Sequence, residues 1–138
     1  MKKIVVFILV LAITLLSTLP AALASFSTTK AKIYLAADDV FTVSNSEAVL
    51  YGGSGSNIVT ILDGATGITL DQNVESIKFS GASSSYTFKQ TGNMINIYDA
   101  AGVTLLAKAP VQEAGTVLGF SNGKASALMA DSGVMTLG

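Results

Sequence analysis

Between Phe41 and Ile97 the chain repeats a short apolar unit seven times: Phe41-Thr42-Val43, Val49-Leu50-Tyr51, Ile58-Val59-Thr60, Ile68-Thr69-Leu70, Ile77-Lys78-Phe79, Tyr86-Thr87-Phe88 and Ile95-Asn96-Ile97. Their first residues lie 8, 9, 10, 9, 9 and 9 positions apart. Most units read apolar, polar or small, apolar, the period of a strand with one face turned inward, and Ser, Gly, Asn and Asp fill the intervals. No Pro interrupts the array and no stretch keeps a helical period across it. This rhythm predicts an all-β fold in which short strands stack or form a sandwich, with the rest of the chain capping or extending it.

A nine-residue beat fits two geometries. In a parallel β-roll each interval is a corner and alternate units stack, whereas in an antiparallel β-sandwich each interval is a hairpin loop. Small, mostly unbranched corner residues, as in Gly52-Gly53-Ser54-Gly55-Ser56-Asn57 and Asp63-Gly64-Ala65-Thr66-Gly67, favour a solenoid-like roll over Phe41 to Phe88. Hairpin signals follow. Ile95 to Tyr98, Asp99 to Gly102 and Val103 to Leu106 read as strand, turn and strand, and Asn122-Gly123 suits a two-residue type I′ turn. Pro110 is expected in the connection between these hairpins, because it cannot donate to a central ladder. A weaker echo links Ile77 to Ser84 with Leu118 to Ser126, and Gly67-Ile68-Thr69-Leu70 with Gly102-Val103-Thr104-Leu105.

The first residues read as a secretory signal peptide over 1–24. Lys2 and Lys3 supply the positive start, Ile4 to Leu19 is largely apolar, and Ala22-Leu23-Ala24 offers small residues for cleavage before Ser25. The apolar run, ending at Pro20, is short for a spanning helix of about 20 residues, so no membrane span is expected in the mature chain. Residues 25–37 then form an N-terminal arm or edge strand. Chain-end behaviour favours fraying there over pairing with a neighbouring subunit's sheet edge. Residues 38–138 make a single all-β domain.

Beyond the signal peptide six lysines face nine carboxylates, a net charge of −3 with no Arg, which is the wrong balance for a nucleic-acid partner. Cys, His and Trp are missing, which removes thiolate and imidazole metal sites, Ser-His and Cys-His nucleophile pairs, and a disulfide framework.

The wording of the second half is distinctive: Leu70 to Glu75, Phe79 to Ser84, Tyr86-Thr87-Phe88, Gln90 to Asn93, Tyr98-Asp99, Phe120 to Gly123, Ala125 to Ala127 and Gly133 to Gly138. It resembles a module of bacterial secreted RTX-like, β-strand-repeat surface proteins, which include adhesins and cell-envelope repeat proteins. The resemblance runs from about Phe41 to Gly138 and implies location and architecture more than mechanism.

Within the array, Gly52 to Thr60 looks like the calcium-binding nonapeptide G-G-x-G-x-D-x-U-x, but Asn57 stands at the carboxylate position. Calcium takes six to eight oxygen ligands and gains from their charge, so a glycine-rich corner without cofactor is the favoured reading. Asp38-Asp39 and Asp63 with Asp71 are the carboxylate groupings to weigh for acid–base work. Adjacent Asp38 and Asp39 would point to opposite faces, and Asp63 precedes a glycine as a turn residue does, so turn roles are favoured. Tyr34, Tyr51, Tyr86 and Tyr98 with Phe41, Phe79, Phe88 and Phe120 are assigned mostly to the core, leaving room for an exposed tyrosine stripe. Ser83-Ser84-Ser85 has no base beside it and reads as a corner.

No catalytic, cofactor or metal residue is therefore assigned. The leading expectation is a secreted, non-enzymatic structural protein of the cell surface or matrix, self-assembling or docking to a larger surface structure through sheet edges. The alternative is a monomeric adhesion module that binds a glycan or matrix through loops and exposed tyrosines.

Overall fold

The computed structural model describes residues 29–138. The expected signal peptide at 1–24 lies outside the described residues. Among the described residues twelve strands form: β1 (Ala31–Tyr34), β2 (Val40–Val43), β3 (Ala48–Tyr51), β4 (Ile58–Ile61), β5 (Ile68–Leu70), β6 (Ser76–Phe79), β7 (Tyr86–Thr91), β8 (Met94–Asp99), β9 (Leu105–Pro110), β10 (Thr116–Phe120), β11 (Gly123–Met129) and β12 (Met135–Leu137). All seven apolar units lie in strands, β2 to β8.

Two six-stranded sheets face each other, one ordered β1-β3-β5-β9-β8-β7 and the other β2-β4-β6-β10-β11-β12. The pairs β1-β3-β5-β9 and β2-β4-β6-β10 are all parallel. The chain therefore alternates between sheets and winds a roll of four coils. Each coil contributes one strand to each sheet, and β4 sits 18 residues after β2, as β6 does after β4, in unshifted register (Val40↔Ile58, Ile58↔Ser76). Leu50, Val59, Ile61, Ile68, Leu70, Ile77, Ile95, Ile97 and Leu118 turn inward and are buried between the sheets, which is where the period-2 pattern puts them.

The roll is parallel, but its extent differs from the sequence expectation. Tyr86-Thr87-Phe88 belongs to β7, which pairs antiparallel with β8 at the outer edge of its sheet. The cause is the length of the next connection. Thr91 pairs with Met94, so only Gly92 and Asn93 reverse the chain, and a two-residue reversal joins antiparallel neighbours alone. The roll then resumes with β9 and β10, which pair in parallel with β5 and β6 as well as forming the expected antiparallel hairpins with β8 and β11. The first sequence echo is structural, since Ile77 pairs with Leu118 and Lys78 with Gly119 in adjacent coils; the second is not, since Ile68 pairs with Ala107.

Three local expectations also change. Ala31–Tyr34 is not a frayed end: β1 is an edge strand paired with β3 of its own sheet. The β10–β11 hairpin exists, but Phe120 pairs with Gly123, so Ser121 and Asn122 form the turn. Neither has positive φ, so it is not type I′; the Asn122 amide is instead bonded to the Ser83 N–H and hydroxyl. Pro110 ends β9 rather than lying between strands, beyond the last pair with β5 at Lys108, where its missing N–H breaks no parallel ladder.

Candidate functional site

The two sides of the roll use their corners differently. Connections from the first sheet to the second (35–39, 52–57, 71–75 and 111–115) stack along one side, and their polar groups bond from coil to coil. Asp38 accepts from the Ser56 N–H at 2.8 Å, and Glu75 accepts from the Asn57 N–H at 2.7 Å. Asp71 accepts from the Gly52 N–H at 2.9 Å and the Asn73 N–H at 3.0 Å. Such bonds satisfy backbone donors that a corner takes out of the ladders.

Asn57, at the ligand position of the calcium-like motif, is 0 % exposed. Its Oδ1 accepts from the Asp39 N–H at 3.3 Å, and its Nδ2 donates to the carbonyls of Gly53 at 3.0 Å and Asn73 at 3.2 Å. The amide thus ties together three successive corners. Gly52 and Gly53 lie between corners as well: a Cβ on Gly52 would strike the Asn73 carbonyl, and one on Gly53 the Ala36 carbonyl. The glycine-rich wording is accounted for by close passage of coils. Sequence reasoning missed Glu75 and Asn73 as members of this ladder. The signal was present, because Asp39, Asn57 and Glu75 each immediately precede a second-sheet strand at 18-residue steps.

The carboxylates weighed for acid–base work are not brought together. Asp71 lies in the corner ladder, whereas Asp63 is in the 62–67 connection on the other side and bonds Ser80. Asp38 and Asp39 each serve a different backbone N–H, of Ser56 and Ala36. Asp63 does share a cleft of about 350 Å³ with Asp99, Leu62, Phe79, Ser85 and Tyr86. Asp99 is engaged there: the Val103 N–H donates to it at 2.9 Å, which with the Thr104 side chain lowers its pKa. Ser83–Ser85 is a single 3-10 turn leading into β7. Among the described residues, no three His, Cys, Asp or Glu side chains cluster, and no helix is long and apolar enough to cross a membrane.

The aromatics divide. Phe79, Tyr86, Phe88 and Phe120 pack on one another with centroids 4.9 to 6.0 Å apart. Phe41 packs against the core from the first coil. Tyr34, Tyr51 and Tyr98 lie instead on the outer face of the first sheet. Tyr34 and Tyr51 stack at 4.9 Å with planes 14° apart, and Tyr34 is 73 % exposed.

The two ends of the roll carry the edges of both sheets. At one end β1 and β2 each have a single neighbour among the described residues, Val40 is 66 % exposed, and the core opens into a cavity of about 130 Å³ lined by Ile33, Phe41, Val43 and Ala48. At the other end the edges are β7 and β12. Gln90 of β7 clasps the opposite sheet there, donating to the Gly133 carbonyl at 2.6 Å and accepting from the Met135 N–H at 2.9 Å. Compared with protein-family models, with curated proteins and with solved structures, the chain matches none.

Proposed function

We propose that this chain is a secreted, non-enzymatic structural subunit that joins copies of itself through its sheet edges, forming an extracellular filament, matrix or surface layer. One observation carries the reading: the two ends match in strand direction. In the first sheet β9 runs antiparallel to β8 and β8 to β7, so β7 points the same way as β1. In the second, β10 runs antiparallel to β11 and β11 to β12, so β12 points the same way as β2. Head-to-tail stacking would therefore set β1 parallel to β7 and β2 parallel to β12 at once, extending both sheets with their existing polarity. Such a joint is heterologous, and repeated without closing into a ring it makes a filament.

The apolar character of the ends supports the same reading. Tyr34 and Val40 are exposed at one end, and Leu128, Val134 and Leu137 near the other. Because Tyr34 already stacks on Tyr51, its free ring face looks along the roll axis, where the next strand would lie. The N-terminal leader and the resemblance to bacterial surface-protein modules are in keeping with an extracellular site.

Electron microscopy of the secreted chain, with fibre diffraction, tests the proposal. Filaments should repeat at about 29 Å per subunit, six strands at about 4.8 Å each, and a Tyr34→Lys/Val40→Lys variant should remain unassembled while keeping its fold. Single particles of the unaltered chain at high concentration would sink the idea.

A further inference from the structure

Charge is segregated on this molecule. Five of its six described lysines lie within strands, while eight of its nine carboxylates lie in connections. The exception among the carboxylates, Asp99 at the end of β8, accepts from the Val103 N–H. The one ion pair among the described residues, Lys30 with Glu47 at 3.1 Å, is at a corner.

The outer face of the first sheet shows the consequence most clearly. Its register places Lys32, Val49, Thr69, Lys108, Asn96 and Lys89 in one line across all six strands. At about 4.8 Å per strand, Lys32 and Lys108 are about 14 Å apart and Lys108 and Lys89 about 10 Å. Tyrosines flank this line on both sides. Tyr34 and Tyr51 lie towards the C-terminal ends of β1 and β3, and Tyr98 lies on the opposite side, with Lys89 Nζ 4.4 Å from its ring centre. Lys89 also donates to the Gly102 carbonyl at 2.9 Å, which holds it in place. No carboxylate faces outward from these strands.

We infer that this face binds an acidic polysaccharide, with Lys32, Lys108 and Lys89 meeting its carboxylate or sulfate groups and Thr69, Asn96 and the flanking tyrosines meeting its hydroxyls and sugar rings. An extended polyanion matches the face in layout and sign: the sheet is open at both edges, and its cations are spread along a line instead of converging on a pocket. Three lysines on a chain of net charge −1 make a shallow footprint for nucleic acid, whose binders neutralise many closely spaced phosphates. The inference does not depend on filament formation, since the whole line lies within one chain.

Binding of the secreted chain to immobilised polygalacturonate, dextran sulfate, neutral dextran and single-stranded DNA provides the test, with two double variants of equal charge change. Lys32→Gln/Lys108→Gln alters the proposed face, and Lys78→Gln/Lys124→Gln alters the outer face of the second sheet. The unaltered chain should bind both acidic polysaccharides, less tightly as salt rises, and not dextran. The first variant should weaken binding about tenfold, the scale of two lost screened contacts, and the second less than about twofold. Circular dichroism of both variants should match the parent. Absence of binding, or equal loss in the two variants, would overturn the inference, and tighter binding to the DNA than to either polysaccharide would replace the glycan with a nucleic acid.

Discussion

An asparagine whose amide serves three corners at once, as Asn57 does, is sensitive to charge. Asn57→Asp would set a carboxylate against the Gly53 and Asn73 carbonyls, removing both donors, with the Glu75 carboxylate bonded to the same residue's N–H. A loss of about 3 kcal/mol is expected from urea unfolding at neutral pH, the cost of a buried, wrongly paired acid. Burial would raise the new carboxyl's pKa, so the folded state would bind its proton more tightly, and the variant should recover stability as pH falls. In the native chain the same corner is held by protein groups, so adding a chelator should leave the melting temperature unchanged; a large drop would show a bound cation. Asp99 works in the opposite sense. Its pKa is lowered mainly by the Val103 N–H, so its contribution is present above the ordinary carboxylate range and is lost as pH falls through the lower folded value. Thermal unfolding of Asp99→Asn should accordingly lose less stability between pH 7 and pH 3 than the parent does.

Corners and turns, rather than strands, decide how the elements connect. Gly53→Ala would push a methyl into the Ala36 carbonyl of the preceding coil and should cost about 3 kcal/mol, whereas at Gly64, φ 88°, a Cβ meets nothing and only the backbone penalty of about 1 kcal/mol remains. Denaturant midpoints of the two variants would separate close passage from backbone strain. The same distinction explains what could be read beforehand. Strand positions were legible because Ile77-Lys78-Phe79 and its counterparts carry the period of a half-buried strand. Partner choice was legible only where the connection was short enough to dictate it, as at Gly92-Asn93, and that constraint was outweighed by the uniform nine-residue beat. The resumption of the roll at β9 and β10 had little local signal, since Ala107 and Ala109 are small and Thr116 is polar, yet all three are buried beside residues far away in sequence. For the candidate surfaces, the sequence left room for an outward tyrosine stripe without saying which tyrosines form it, and the lysine line was not legible, because it exists only once register brings residues 32, 89 and 108 together.

At the scale of the whole molecule, the edges carry a restraint on their own assembly. If stacking continues the rows of the first sheet, Lys89 of one copy lies beside Lys32 of the next, at about 4.8 Å. Like charges at that spacing oppose joining, as edge lysines do in other open sheets. Assembly followed by light scattering should therefore speed up with added salt, and Lys32→Gln should assemble faster at low salt with a weaker salt response. Joining that is indifferent to salt would show that the copies meet in another register. The eighteen-residue coil has a separate consequence. Because each turn of the chain adds one strand to both sheets and leaves the two terminal strands pointing as before, the number of turns is a dimension that can change without altering the joint. In the proposed filament a chain of this design would work as a ruler: duplicating a turn would move its neighbours apart by one strand width, with the joining contacts left intact.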